Sequence, residues 1–161
     1  MSNQKTFNIL FAGIGGQGVL KASEVCGWAA LYDGYHVKKS EIHGMAQRGG
    51  SVESHLRFGK IVFSPLIPKN QADFLVSFHA DEHKRQKSFL KKGGLDFLKI
   101  LEVGKKIVPD RRFINTYLLG ALSKKLPIKD SSWLKAMEVV FPSKFLEENK
   151  KIFYLGRKNN P

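Results

Sequence analysis

Apolar and helix-like stretches alternate along the first half of the chain. Residues 7–12 (FNILFA) form a short apolar run that ends at a glycine, a pattern typical of a buried strand. Residues 18–32 are apolar on nearly every side, which predicts a helix that is covered on more than one face. A glycine then favours the end of that helix, and residues 36–39 begin a second predicted strand.

Polar and apolar side chains alternate through residues 51–58, which is the period of a half-buried strand. Its polar side consists of Ser51, Glu53, His55 and Arg57, and its apolar side of Val52, Leu56 and Phe58. Gly59 and Lys60 predict a turn into a partner strand at residues 61–63, which would make a hairpin. Residues 74–78 (FLVSF) predict a further buried strand, and a helix is expected from residue 81 to about residue 91.

The second half of the chain is mainly helical in pattern. Residues 100–103 predict one short strand, and helices are predicted over residues 112–126, 130–141 and 143–156. Strands that alternate with helices early in the chain, followed by helices, define an α/β domain. We expect one domain over residues 1–161, with a Rossmann-like, mostly parallel but mixed sheet, one hairpin, helices on both faces and a helical C-terminal part.

Cysteine and hydropathy patterns exclude several classes of protein. The single cysteine, Cys26, excludes a disulfide framework, and also an iron–sulfur cluster held by this chain alone, because such clusters take about four thiolates. The polar first residues lack the apolar core of a signal peptide, and no run approaches the roughly 18 apolar residues of a membrane span. We therefore expect a cytoplasmic protein without a membrane partner.

The net charge of +13 raises nucleic acid as a partner. Residues 82–112 carry ten basic and four acidic side chains, which are dotted through helix-like sequence and do not alternate with aromatic residues. This distribution is typical of a solvated, lysine-rich face. We therefore expect no nucleic-acid partner; steeply salt-dependent binding to DNA or RNA would mark that alternative.

A glycine-rich turn follows the first predicted strand and precedes the first predicted helix. Residues 13–18 (GIGGQG) have the spacing G-x-G-x-x-G, which lets a phosphate approach the backbone amides at a helix N-terminus. Lys38 and Lys39 stand where a dinucleotide site would place an acidic residue, and a nucleoside-triphosphate P-loop is excluded because the Lys-Ser/Thr ending is absent. A glycine turn that only packs helix against strand is the alternative. The candidate binding residues are Gly13, Gly15, Gly16, Gln17 and Gly18.

A second candidate site lies in residues 40–50 (SEIHGMAQRGG), between two predicted strands. Loops on a rigid scaffold commonly carry ligand and partner contacts. Arg48 is expected to clamp a phosphate or a carboxylate. The two loops leave the carboxyl ends of neighbouring strands, so we expect them to converge at one end of the sheet. The candidate binding residues here are Ser40, His43, Gln47, Arg48, Gly49 and Gly50.

The sequence offers no catalytic residue and no metal site. Cys26 lies within a mostly apolar helix, where a small buried side chain is the expected role, and a nucleophile elbow is absent. His79 and His83 have the spacing of two ligands on one helical face, but the sequence positions no third ligand beside them.

Residues 13–19 (GIGGQGV) and 40–59 together resemble the small (beta or gamma) subunit of the 2-oxoacid:ferredoxin oxidoreductases, most closely the indolepyruvate type. The string at residues 43–50 (HGMAQRGG) carries the resemblance, whereas pyruvate- and 2-oxoglutarate-type subunits tend to have Tyr-Gly-x-Glu-x-Arg-Gly-Gly. The resemblance resumes at residues 115–121 (NTYLLGA) and in the tail at Asn149, Phe153 and Gly156. It thus spans most of the chain.

This resemblance implies a non-catalytic partner subunit, inactive alone, within a hetero-oligomeric oxidoreductase. The complex would decarboxylate an indolepyruvate-type 2-oxoacid oxidatively to its acyl-CoA, with coenzyme A as cosubstrate and ferredoxin as a transient electron-accepting partner. Thiamine diphosphate and the iron–sulfur clusters would belong to the large (alpha) subunit. The cofactors supply the difficult chemistry of such reactions, and the protein supplies placement.

Two alternatives remain, and the chain departs from the family in one place. It could be a pyruvate- or other 2-oxoacid-type gamma subunit, or a stand-alone nucleotide- or CoA-binding Rossmann-like domain. Family members usually carry an extra segment after the position of Gly94, which is almost absent here. This departure predicts a missing or rebuilt strand at the edge of the sheet.

Overall fold

The computed structural model of the protein describes residues 5–45 and 49–160. Within these residues the strands are β1 (Phe7–Ile14), β2 (His36–His43), β3 (Ser51–Gly59), β4 (Ala72–Ser77) and β5 (Leu90–Asp96). They form one sheet in the order β2-β3-β1-β4-β5. β3 runs antiparallel to both of its neighbours, whereas β1, β4 and β5 are parallel to one another, so four of these strands share one direction.

Helices cover both faces of the sheet. In the described residues they are α1 (Val19–Tyr32), α2 (Ala80–Gln86), α3 (Leu98–Ile107), α4 (Ile114–Ser123), α5 (Asp130–Val140) and α6 (Ser143–Asn159). The larger core lies between the sheet and α1, α4, α5 and α6, around Phe11, Leu56, Tyr117, Trp133 and Phe153. A smaller core on the other face joins Leu10, Ala12, Ile67, Ala72 and Leu75. The predicted α/β class, mixed sheet and helical C-terminal part are confirmed.

The predicted hairpin is in the wrong place. β2 and β3 are the consecutive antiparallel strands, with His36 opposite Gly59, whereas residues 61–63 lie in a loop. Val62 N donates to the side chain of His36, at Nδ1 (3.0 Å), and not to the backbone of a neighbouring strand. Residues 61–63 therefore add no strand to the sheet. Proline at positions 65 and 68 also favours a loop there, since proline cannot donate to a ladder.

Two further sequence predictions are wrong in detail. Residues 100–103 belong to α3, in which Leu101 and Gly104 are buried and Val103 is exposed, so the short apolar run has helical and not strand periodicity. The helix predicted from residue 81 to residue 91 ends at Gln86. A 3₁₀ turn (Lys87–Phe89) follows it, and then the edge strand β5 begins.

Edge strand β5 contains a bulge. Ala72 pairs with Leu90 and Phe74 pairs with Leu95, so between these two pairs β5 contains more residues than β4 does. Gly93 makes this possible with a φ of 78°, a conformation that other residues rarely adopt. A Cβ on Gly94 would lie 3.0 Å from Ala72 O, so the strands approach closely there. Whether relatives have an additional strand at this edge stays a prediction.

Candidate functional site

The two candidate loops meet at one end of the sheet. Ile14, at the end of β1, lies opposite Ser51, and His43, at the end of β2, lies opposite Val52. Gly15 N donates to Gly50 O (3.0 Å), which joins the loops directly. The convergence predicted from strand order is therefore observed for the described parts of both loops.

The glycine turn is shaped by close contacts and by positive φ angles. Gly16 and Gly18 have φ angles of 90° and 78°, and a Cβ on Gly18 would lie 2.5 Å from Asn115 Nδ2. A Cβ on Gly13 would lie 2.8 Å from Phe78 Cβ, so this glycine lets strand and helix pack together. The turn leads directly into α1, whose first backbone amides have no partner within the helix.

Gln17 stabilises the turn with its side chain. Its Oε1 accepts a hydrogen bond from Ile14 N (2.9 Å), and its Nε2 donates to Phe78 O (3.0 Å). The side-chain amide thus joins the ends of β1 and β4. A ligand at this turn would meet the backbone of Gln17 and not a free amide group.

A series of polar side chains connects the glycine turn to α4 and α6. Asn115 Nδ2 donates to Gly18 O (3.3 Å), and Thr116 Oγ1 donates to Asn149 Oδ1 (2.6 Å). Asn149 Nδ2 in turn donates to Phe145 O (2.9 Å). These buried bonds fix α4 and α6 against the glycine turn, because a buried polar group without a partner is costly. Asn115 and Asn149 are functional-site residues that the sequence patterns did not predict.

A cavity of about 580 Å³ opens between the glycine turn and the C-terminal helices. One wall comprises residues 14–21 with His43 and Val52, and the other comprises residues 111–113 and 115, together with Phe141, Pro142, Phe145 and Asn149. Its interior is mainly apolar, and Lys21, Arg111 and Arg112 place cations on its lining. An apolar cavity with a few convergent polar groups is the usual form of a small-molecule site.

Two of the three lining cations are unpaired with respect to the described residues. Arg112 donates to Asp110 Oδ2 through both Nε (2.9 Å) and Nη2 (2.7 Å). These side-chain bonds lower the pKa of Asp110 and raise the pKa of Arg112. Arg111 and Lys21 make no ion pair with any described side chain, so their charges remain available to an anion.

The other candidate residues have different positions. Ser40 lies within β2 opposite His55 and does not line the cavity. His43 lines it and is exposed, with Nε2 4.0 Å from Glu41 Oε2. Gly49 and Gly50 lie beside Gly15, whereas Gln47 and Arg48 lie outside the described residues. The binding roles of all these candidate residues stay predictions.

Cys26, His79 and His83 do not form a reactive or metal-binding group at this site. Cys26 is fully buried, and desolvation raises its pKa, so its thiol stays protonated. His79 Nδ1 accepts from Asp81 N (3.2 Å), and His83 Nε2 instead lies 3.0 Å from Asp96 Oδ2. Residues 5–45 and 49–160 contain no group of three or more His, Cys, Asp or Glu side chains that could hold a metal ion. Among the helices described, none is long and apolar enough to cross a membrane.

The mixed sheet, the glycine turn and the helices on both faces define a Rossmann-like α/β fold with a cavity at the carboxyl ends of its strands. Residues 8–99 match the family described as pyruvate ferredoxin/flavodoxin oxidoreductase. Over 193 aligned positions the chain is 34% identical to the indolepyruvate oxidoreductase subunit IorB of Thermococcus kodakarensis, and the alignment covers 96% of both chains. The chain belongs to the pyruvate ferredoxin/flavodoxin oxidoreductase family, as the loop strings predicted.

Further comparisons agree with this assignment. The chain is 48% identical over 93 residues to subunit IorB of Pyrococcus horikoshii, a match that covers 58% of this chain and 46% of the relative. The gamma subunit of the keto/oxoacid ferredoxin oxidoreductase from Geobacter sulfurreducens superposes with a TM-score of 0.76 at 25% identity, covering 93% of this chain and 95% of that one.

A larger solved chain shares the fold. The 2-oxoglutarate:ferredoxin oxidoreductase from Magnetococcus marinus, described with 2-oxoglutarate, coenzyme A and succinyl-CoA bound, superposes with a TM-score of 0.80 at 18% identity. The match covers 97% of this chain and 31% of that chain. The fold of this chain therefore also occurs as part of a longer polypeptide.

Proposed function

We propose that this chain is the non-catalytic small subunit of an indolepyruvate:ferredoxin oxidoreductase and that it acts only together with a large subunit. The identity of 34% to an indolepyruvate oxidoreductase subunit, over 96% of both chains, supports the substrate class. One buried cysteine cannot bind an iron–sulfur cluster, so such clusters and thiamine diphosphate are assigned to the large subunit. The whole chain, residues 1–161, is proposed to act as one domain in the cytoplasm.

The reaction proposed for the complex is an oxidative decarboxylation, in which every bond and electron is accounted for by the substrate, coenzyme A and ferredoxin. The 2-oxoacid loses its carboxylate as carbon dioxide, and the remaining acyl group forms a thioester with coenzyme A. The thiol gives up its proton, and two electrons pass to ferredoxin. None of these bonds needs a nucleophile or an acid from the described residues of this chain.

We further propose that this chain binds coenzyme A in the cavity. Its cations and the first amides of α1 suit phosphate groups, and its apolar interior suits the rest of a long cosubstrate. Bound coenzyme A supplies the thiol that receives the acyl group. Arg111 and Lys21 would neutralise phosphates, and Phe113 and Phe145 would exclude water from the apolar part.

Co-expression tests the subunit proposal. A tagged copy of this chain, expressed together with the large subunit, should retain a protein that contains thiamine diphosphate and iron–sulfur clusters. The pair should reduce a viologen dye with indolepyruvate and coenzyme A, and each chain alone should be inactive. Pyruvate and 2-oxoglutarate serve as competing substrates, and faster turnover with either would contradict the indolepyruvate assignment. Robust turnover by this chain alone would contradict the non-catalytic role.

A further inference from the structure

Three large apolar side chains project from the loop that joins β3 to β4. Phe63 is 91% exposed, Ile61 53% and Leu66 51%. We call Ile61, Phe63 and Leu66 the apolar tip. Single exposed apolar residues are common, but three within six positions of one loop concentrate exposed apolar surface, which is a feature of interaction sites.

The loop beneath the apolar tip is firmly held. Val62 and Ile67 are buried, and their backbone amides donate to His36 Nδ1 (3.0 Å) and His55 Nδ1 (3.1 Å). Arg57 Nη1 donates to Ser64 O (2.9 Å). The apolar tip is therefore presented in a fixed shape, so that little conformational entropy is lost when a partner covers it.

The charge around the apolar tip restricts its partner. Residues 54–72 contain no aspartate or glutamate, and Lys60 and Lys69 flank the tip with exposed positive charges. A second copy of this chain would bring like charges together. The matching surface is an apolar pocket bordered by carboxylates on a different protein.

The apolar tip is also separated from the cavity. β3 runs from Ser51, beside the cavity, to Gly59, at the opposite end of the sheet. Val62, next to Phe63, is bonded to His36 at that same opposite end. A partner that covers Phe63 would therefore leave the mouth of the cavity open.

We propose that the apolar tip docks into an acidic-rimmed apolar pocket of the large subunit and anchors this chain in the complex. This inference rests on the proposed function, because it needs the large subunit as the partner. Phe63 is the central contact, since aromatic anchors in desolvated pockets dominate most interfaces.

The test compares binding to the purified large subunit for the wild type, Phe63→Asp and Leu66→Asp, by interferometry. Val139→Asp is the matched control, because Val139 is 50% exposed on α5. Phe63→Asp should weaken binding about thirty-fold or more, as the loss of a hot spot does. Val139→Asp should bind normally, and both isolated chains should unfold at the wild-type temperature. If Phe63→Asp unfolds early, Leu66→Asp takes its place in the comparison.

A charge variant provides a second readout. Lys60→Glu combined with Lys69→Glu should slow association severalfold at low salt and little at high salt, because rim charges act mainly on encounter. Lys151→Glu combined with Lys158→Glu, on α6, is the control and should leave the rate unchanged. Equal slowing by both pairs would contradict a local role for the apolar tip.

The outcomes separate this inference from the proposed function. If the wild-type chain fails to bind the large subunit, the proposed function itself is wrong. If the wild type binds and Phe63→Asp binds equally well, only the docking proposal is overturned. It is overturned as well if the isolated wild type self-associates or binds anionic vesicles and Phe63→Asp abolishes that property, because the tip would then serve a second copy or a membrane.

Discussion

Gly120 of α4 and Gly156 of α6 lie where the backbones of the two helices touch. A Cβ on Gly120 would be 2.0 Å from Phe153 O, and a Cβ on Gly156 would be 2.1 Å from Tyr117 O. Only hydrogen in place of a side chain permits this approach. The contact brings Asn149 within reach of Thr116 and so fixes the helical wall of the cavity.

Replacing Gly120 should therefore destabilise the whole protein. We expect Gly120→Ala to lower the free energy of unfolding by about 3 kcal/mol, because an added methyl group would force the helices apart. Gly27→Ala is the matched control, since its Cβ would meet Leu56 Cδ1 at an ordinary 3.5 Å. Within α1 that change should stabilise the protein by about 0.5 to 1 kcal/mol. Urea unfolding measures both, and equal effects would contradict the close helix contact.

The glycine turn allows a similar comparison at two positions with positive φ. A Cβ on Gly16 meets no atom within 4 Å, whereas a Cβ on Gly18 would collide with Asn115. We expect Gly16→Ala to cost about 1 kcal/mol through backbone strain alone. Gly18→Ala should cost clearly more, because it also separates the turn from α4. Thermal and urea unfolding of the two variants, measured side by side, check the order, and the reverse order would contradict this arrangement of the turn.

Arg111 should contribute to the affinity for coenzyme A. Arg111 lines the cavity and makes no ion pair with a described residue, whereas Arg112 is paired with Asp110. We expect Arg111→Ala to raise the dissociation constant of coenzyme A about tenfold, in keeping with about 1.4 kcal/mol for one charged contact. Isothermal titration of the complex measures this change. Lys105→Ala, on α3, is the control, and an unchanged constant for Arg111→Ala would argue against phosphate binding at this mouth.

Asp96 predicts a pH dependence of stability. Partial burial works against its ionisation, but the hydrogen bond from Leu98 N, the contact with His83 and the charge of Lys87 together outweigh burial and lower the pKa of Asp96. A carboxyl with a lowered folded-state pKa stabilises the protein above its unfolded pKa of about 3.9, and loses this effect as pH falls through the folded value. Asp96→Asn should therefore be less stable than the wild type at pH 7, with a smaller difference at pH 3. Urea unfolding at both pH values measures this difference, and an equal difference at pH 7 and pH 3 would contradict the role of the Asp96 charge.

Sequence patterns predicted the elements whose signals are local. The apolar run before Gly13 and the alternation through β3 each lie within one element, so both strands were predicted correctly. The expectation that β3 is half-buried was wrong at His55, because the loop at residues 61–67 covers that side of the strand. The strand predicted at residues 100–103 was wrong because a run of four residues is too short to show a distinct period. In the structure these residues belong to α3, which packs against α4.

The candidate site was predicted only in part. Strand order was enough to bring Gly15 and Gly50 together. Asn115 and Arg111 were missed as site residues because they approach the glycine turn from almost 100 positions away in the chain, and no local pattern encodes that contact. The family-like string at residues 115–121 was the available signal, although it did not show what Asn115 binds.

The basic segment around α2 offers a test of the proposed ferredoxin encounter. An acidic ferredoxin would associate faster with a basic surface, since complementary charge steers association. Arg85 is unsuitable for this test, because it donates to Glu82 Oε1 (3.0 Å) and to Ser51, and its loss would disturb the end of β3. Lys84 is exposed and makes no ion pair with a described residue, so it can be reversed without breaking a contact of the fold. Lys87 is left unchanged, because its charge helps to lower the pKa of Asp96.

Lys84→Glu should slow ferredoxin reduction by the complex at low salt. The effect should fade as salt rises, because screening shortens the range of surface charges to about 8 Å at physiological ionic strength. Reduction of a neutral small-molecule acceptor by the same complex should be unchanged, since such an acceptor is not steered by charge. Equal loss with both acceptors would indicate failed assembly, and an unchanged ferredoxin rate would show that α2 does not face the electron acceptor.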